Sequence, residues 1–307
     1  MLQLLLSLIV FLLGLWLLRR GLTQLTTRYI ERFLQRLVKT PWRGFLTGIA
    51  ATLVTQSSAA VTILSMGMVA AGMLRFEDTV AIILGSNIGS TFTLGIISQS
   101  PTQLSPWLIG LGIFGYVFIT APRWRTVFLA LCGFGLLLYG FQGMTSISAT
   151  LLTDHRLSYL IAFAKKSPLH GVLAGTLLTM LITSSSASTA LTISLAKAGL
   201  ITLITAIALV LGHNIGTCLT SILMSIGGSR SVVRVALTHV LLNVVGVLLF
   251  LPIIQPFQRW ILQLSPHIDQ QIILSHILFN GITSIIALPF TRLIATSLMT
   301  IYKDKSS

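Results

Sequence analysis

Residues 41–98 lie over residues 168–225 without a gap, and 20 of the 58 paired positions are identical. Chance likeness between apolar stretches would match Leu with Leu and Ile with Ile. Here the matches include Pro41/Pro168, Gly44/Gly171, Gly48/Gly175, Thr52/Thr179, Ser57/Ser184, Ser58/Ser185, Thr62/Thr189, Gly72/Gly199, Gly85/Gly212, Asn87/Asn214 and Gly89/Gly216. The chain carries an internal duplication, so any architecture assigned to one copy has to serve both.

Only 26 of the 307 residues are charged and the mean hydropathy is +0.93, too few ionic groups to clothe a soluble surface. Windows at 2–18, 106–121, 126–144, 232–254 and 270–290 approach the ~20 apolar residues that cross a bilayer as a helix. None alternates polar with apolar residues as a membrane barrel would. The fold class is therefore all-α, an integral membrane protein. The net charge of +14 comes from basic residues in short loops between apolar segments, which sets orientation and does not indicate nucleic acid. Cys132 and Cys218 fall in apolar helical sequence and read as structural thiols. The first segment lacks a basic leader and a small-residue cleavage site, so it reads as a retained membrane helix.

Arg19, Arg20, Arg28, Arg32, Arg36, Lys39 and Arg43 follow the first span and place that side in the cytoplasm. Among them, apolar positions from Leu25 to Val38 at near-helical spacing predict a separate helix lying on the inner leaflet. From Pro41 to Gly72 basic residues stand at both ends, Arg43 and Arg75, which predicts a re-entrant hairpin (42–72) whose tip is Gln56-Ser57-Ser58-Ala59-Ala60. The next span, 76–98, contains Gly85-Ser86-Asn87-Ile88-Gly89-Ser90-Thr91, poor helix formers that predict a broken helix with unwound backbone. The second copy repeats this: a segment at 148–167 on the outer leaflet, a hairpin over 168–199 with tip Thr183-Ser184-Ser185-Ser186-Ala187, and a helix over 200–225 broken at Gly212-His213-Asn214-Ile215-Gly216-Thr217. The units are then 1–125 and 126–254, followed by an interfacial segment and last span in 255–307. Each unit crosses the membrane three times, and an odd number forces the second copy to be inverted. The N-terminus lies outside and the C-terminus in the cytoplasm of a multi-pass plasma-membrane protein. Inverted repeats with interrupted helices are the pattern of secondary transporters, and no P-loop is present to supply an ATP motor.

Polar groups at bilayer depth are costly unless satisfied, so a tight cluster of them lines a cavity or holds a solute. Amides at helix N-termini bind anions, and the hydroxyls of Ser57, Ser58, Ser184, Ser185 and Ser186 both donate and accept, which suits an oxyanion bearing one proton. No Lys or Arg is evident within either tip. Gln56, Asn87, Asn214, Thr62 and Thr189, with backbone carbonyls, offer oxygen ligands to a small hard cation such as Na+. Single Ser, Thr and Gly residues usually serve helix packing in membranes, but a cluster duplicated together with its glycine frame favours a site. His239/Asn243 and His276/Asn280 each share a helix face and read as interhelical hydrogen bonding. His213, whose repeat mate is Ser86, reads equally as a substrate-site or pH-sensitive residue. Trp16, Trp42, Trp107, Trp124 and Trp260 read as interfacial anchors.

Gln56-Ser57-Ser58 and Thr183-Ser184-Ser185-Ser186, each followed by Gly-x-Asn-Ile-Gly-Ser/Thr, resemble the type II sodium-dependent phosphate cotransporters. Thr238-His239-Val240-Leu241-Leu242-Asn243 and Ser275-His276-Ile277-Leu278-Phe279-Asn280 look like that family's later helices. The resemblance implies a non-enzymatic secondary transporter coupling inorganic phosphate to Na+, with no cofactor besides that ion. It also implies that both hairpins hold phosphate through the five serines, and that Gln56, Asn87, Thr183 and Asn214 serve cation or substrate. A bacterial member without the soluble C-terminal regulatory domain, and a homo-oligomer, fit the same picture. The chain departs from the family's Gln-Ser-Ser-Ser at Ala59 and Thr183, which bears on the number of coupled cations. Export, or carriage of another oxyanion, is the alternative on the same fold; an intramembrane enzyme built on His239 or His276, or a structural scaffold, are the remote ones.

Overall fold

The computed structural model describes residues 2–38, 40–147 and 155–302, and every regular element within them is a helix. The first, α1 (Leu2–Leu37), is one continuous helix of 36 residues, about 54 Å long at 1.5 Å per residue. It replaces the expected short span and separate interfacial helix. No proline interrupts the junction, and Gly21, the one poor helix former there, lets α6 (Pro122–Ile147) approach closely, since a Cβ at Gly21 would lie 2.8 Å from Ala130. Gly14 likewise abuts Leu137, Gly133 abuts Leu18, and Gly140 abuts Phe11. Contact positions rise along α1 as they fall along α6, so the two helices run antiparallel. The 14-residue α5 (Ser105–Phe118) packs antiparallel on α6 in the same way, with Gly112 on Cys132 and Gly115 on Phe128.

The duplicated stretches adopt matching structures. In the first, α2 (Pro41–Thr55), α3 (Ser58–Ala70) and α4 (Phe76–Gln99) follow one another; in the second, α8 (Pro168–Ile182), α9 (Ser185–Lys197) and α10 (Leu203–Ser225) do so. Both open with a hydroxyl N-cap and Pro at the first helical position, Thr40-Pro41 and Ser167-Pro168. Gly72 (φ 69°) and Gly199 (φ 72°) turn the chain toward the next helix.

The predicted breaks are absent: α4 and α10 stay helical through Gly85–Thr91 and Gly212–Thr217. Their glycines serve contact. A Cβ at Gly85 would overlap the Phe45 carbonyl and lie 2.9 Å from Ile49 N; at Gly89 it would lie 2.7 Å from Thr52 Cβ. At Gly212 it would overlap the Val172 carbonyl, and at Gly216 it would lie 2.7 Å from Thr179 Cβ. Gly48 and Gly175 return the approach from α2 and α8, against Ile82 and Leu209. Small residues four apart on both partners let the backbones touch, and dispersion replaces a hydrophobic force that lipid does not supply. The glycine spacing that looked like a helix breaker is a helix–helix seam.

Between the copies lies α7 (His155–Lys165); residues 148–154 of the expected outer-leaflet segment fall outside the described residues. After them come α11 (Arg230–Phe250), α12 (Ile254–Leu264), which buries Ile254, Phe257 and Ile261 along one face, α13 (Ile268–Ala287) and α14 (Thr291–Ile301). Six stretches of the described residues are long and apolar enough to cross a membrane: Leu2–Thr26, Phe76–Gln99, Pro122–Ser146, Leu203–Ser225, Arg230–Leu264 and Ile268–Ile301. Leu111, Phe114, Val117 and Phe118 face outward from α5, and all five tryptophans are exposed, as expected of a lipid-facing belt and its rims.

Candidate functional site

The two tips share an unusual backbone. Helix α2 ends at Thr55, Gln56 turns left-handed (φ 55°, ψ 27°), Ser57 is extended (φ −156°), and α3 begins; Thr183 (φ 57°, ψ 20°) and Ser184 (φ −146°) do the same before α9. Gln56 and Thr183 are the only non-glycine residues with positive φ among the described residues. That conformation costs roughly 1–2 kcal/mol for an L-residue, and a β-branched Thr there is a true outlier. Glycine would relieve both positions, yet both keep a side chain, as strained residues at functional sites do.

Each serine after the turn caps the new helix. Ser57 Oγ accepts the Ala60 N–H (3.1 Å) and Ser184 Oγ accepts the Ala187 N–H (3.3 Å). The amides of Ser58 and Ala59, and of Ser185 and Ser186, remain among the orphan donors of a helix N-terminus. Both tips thus present N–H groups, the positive end of a helix dipole, and hydroxyls whose protons are free to donate. Ser58, Ser184 and Ser186 are buried; Ser57 and Ser185 are half-buried.

Sequence reasoning missed two partners of the first tip and one of Asn87. Arg19 of α1 donates from Nε to the Gln56 carbonyl (2.9 Å), so a cation does stand at this tip. Thr93 of α4 donates its hydroxyl to Gln56 Oε1, and Asn87 Nδ2 donates to Asn243 Oδ1 of α11 (3.3 Å). Thr93 had a signal, its identity with Thr220 in the repeat. Arg19 had none, because its charge was absorbed into the basic run that follows the first span. The second tip differs: Thr183 is exposed and its hydroxyl bonds the adjacent Ile182 carbonyl (2.7 Å), and on α6, where Gly133 and Gly140 repeat the contacts of Gly14 and Gly21, Leu138 stands in the place of Arg19.

Around the tips lie polar groups without partners. Thr52 Oγ1, Thr62 Oγ1, Thr179 Oγ1 and His213 Nε2 are the buried side-chain atoms with no hydrogen bond among the described residues, and all four fall in the duplicated stretches. Hydroxyls elsewhere on these helices bond a carbonyl three or four residues back, as Thr55, Ser65 and Thr91 do, so these do not follow the local habit. Thr189 and His213 meet (Oγ1 to Nδ1, 3.0 Å); in the first copy Ser86 is too short to reach Thr62 and bonds the Ile83 carbonyl instead (2.8 Å). Asn214 bonds its own helix at Val210 (2.9 Å). His239 joins Ser221 (2.7 Å), the interhelical role expected of it. Helix α3 lies against α10, and α9 against α4, so each hairpin touches the long helix of the other copy. Among the described residues no hydrogen bond joins the serines of one tip to those of the other. A mostly apolar cavity of about 510 Å³ opens between α4, α11 and α13 and reaches Asn87 and Asn243 but none of the five serines.

A family model described as Na+/Pi-cotransporter matches residues 10–146 and again 143–265, one match for each copy. The uncharacterized Bacillus subtilis protein YqeW is 33% identical over 92% of this chain and 92% of its own length. YjbB of Escherichia coli, named provisionally for inorganic phosphate export, is 26% identical over 95% of this chain, which spans 54% of that protein. Human sodium-dependent phosphate transport protein 2B is 33% identical over 42% of this chain and 19% of its own length. No solved structure matches.

Proposed function

Since the chain belongs to the Na+/Pi-cotransporter family, we propose that it carries inorganic phosphate across the plasma membrane by alternating access, coupled to Na+. The observation that carries this reading is the pair of left-handed tips, Gln56 and Thr183, each followed by a serine-capped helix with unpaired amides. Phosphate is held between Ser57 and Ser58 on one side and Ser184, Ser185 and Ser186 on the other, where amides and hydroxyls take the place of water around its oxygens. Gln56, with Asn87, Thr183 and Asn214, supplies oxygens for Na+, and Thr62, Thr189 and His213 line the buried approach.

Inversion of the two copies, and hairpins that enter and leave on one side, belong to the same proposal. Helices α1 and α6, which begin the two units, pack antiparallel, and that supports it. Antiparallel packing also requires α5 to pass through the bilayer, although its 14 residues rise only about 21 Å. The N-terminus is then outside and the C-terminus inside. Outward movement of phosphate is a second reading, favoured by the name carried by a relative that covers 95% of this chain. Labelled phosphate flux in proteoliposomes, with Na+ or K+ on the opposite face, tests both. Flux indifferent to Na+ removes the coupling, and flux in neither direction removes the proposal.

A further inference from the structure

Arg19 stands halfway along the 36-residue α1 and reaches the first tip, where Nε donates to the Gln56 carbonyl at 2.9 Å. A guanidinium carries five N–H groups. This bond occupies one of them, and the described residues supply no hydrogen-bond acceptor for the rest. Nor do they supply a counter-charge: Asp78 pairs with Arg75 and Asp269 with Lys197. Glu31 lies 12 residues further along α1, about 18 Å away by helix rise, and Glu77 opens α4 away from the tip. Arg19 is half-buried, and a cation on an apolar helix is costly unless paired; among the described residues it has only the carbonyl at the end of α2. Immediately beyond that carbonyl stand the Ser57 and Ser58 hydroxyls and the unpaired amides that begin α3.

We propose that Arg19 is the fixed cation of the substrate site, pairing with the oxyanion at the first tip and conferring a preference for the doubly charged form of phosphate. The inference rests on the phosphate-transport reading above. It deepens that reading by making the jaws unequal: the first holds charge through Arg19, while the second, with the apolar Leu138 at the corresponding position of α6, holds the oxyanion through neutral donors alone. The Gln56 carbonyl keeps the guanidinium aimed, so its planar fork loses little freedom when phosphate arrives. A guanidinium that merely capped the C-terminus of α2 would also bond this carbonyl, and the test separates the two roles.

Arg19→Gln and Arg19→Met remove the charge, the second keeping the apolar stem; Arg19→Lys keeps the charge without the fork. Labelled phosphate uptake by proteoliposomes is measured against phosphate concentration on the acid and alkaline sides of neutrality. The neutral variants are expected to raise the half-saturation concentration about tenfold or more on the alkaline side, where the dianion prevails, and much less on the acid side. Arg19→Lys is expected to restore most of the alkaline affinity. An unchanged half-saturation concentration at both pH values, or a fall in maximal rate alone, overturns the inference and leaves Arg19 a helix cap. Should neither neutral variant insert, the unaltered protein decides, because saturation at lower total phosphate on the acid side contradicts a dianion-selecting cation. Absence of flux in the unaltered protein overturns phosphate transport itself, and this inference with it.

Discussion

Replacing Gly85 by Ala tests the seam between α2 and α4, and with it the continuity of α4. An added Cβ would lie 2.9 Å from both Phe45 C and Ile49 N, about half an ångström inside ordinary contact, and it would overlap the Phe45 carbonyl oxygen outright. All three atoms are backbone, so no rotamer change relieves them and α2 has to retreat as a body. Overpacking of this kind costs typically 1–3 kcal/mol, and the absence of a yielding side chain puts it near 3. The better helix propensity of Ala returns about 1, leaving a net loss of about 2 kcal/mol. For a chain of 307 residues that lowers the melting temperature by about 3 °C. Gly67→Ala is the control: Gly67 is exposed on α3 with nothing within 4 Å of its Cβ position, so the same propensity gain is expected to hold or raise stability. Tryptophan fluorescence of the detergent-solubilised protein during heating reads both. A Gly85→Ala protein as stable as the Gly67→Ala protein would refute the seam and restore an unwound α4.

Three further outcomes follow from the tips and their surroundings. Thr183→Gly is expected to raise stability by about 1 kcal/mol, since glycine adopts φ 57° freely, while phosphate flux falls; a variant that gains stability and keeps full flux detaches the strained turn from function. Ser58→Ala and Ser185→Ala are each expected to weaken phosphate uptake while the protein still inserts, and wild-type uptake by both would remove the tips from the mechanism. Asn243→Ala is expected to cost about 1–3 kcal/mol, because the buried Asn87 amide loses its partner on α11; in a double-mutant cycle with Asn87→Ala the two losses should not add, and simple additivity denies the bond.

The fold was legible wherever one residue type has one physical use. Helices α2 and α8 each begin at a proline that follows a hydroxyl residue, at the head of the duplicated stretch that the paired residues delimit. Glycine has two uses, and there the reading failed: Gly85 and Gly212 weaken a helix in isolation, but they also admit a neighbouring backbone, and α4 and α10 bury enough contact to stay helical. Arginine misled for a similar reason. In a basic run it signals the membrane face, yet Arg19 lies midway along an unbroken α1 and bonds the first tip. Long-range partners such as Asn243 on Asn87 leave no trace in spacing, because they depend on how α11 crosses α4.

What separates the copies is more telling than what they share. The shared residues, Ser57/Ser184, Ser58/Ser185 and the glycines, build the same turn twice. The differing ones cluster around that turn: Gln56 bonded to Thr93 and Arg19 in the first copy, an exposed Thr183 in the second; Ser86 short of Thr62 in the first, His213 filled in against Thr189 in the second. A binding scaffold that only packed would gain by keeping its halves alike. A carrier that releases substrate to one side and reloads from the other gains from jaws of unequal strength, because a charged jaw and a neutral one do not let go under the same conditions. If Arg19 pairs with the oxyanion as inferred above, the first tip is expected to govern affinity and the second, where His213 bonds Thr189, to govern release.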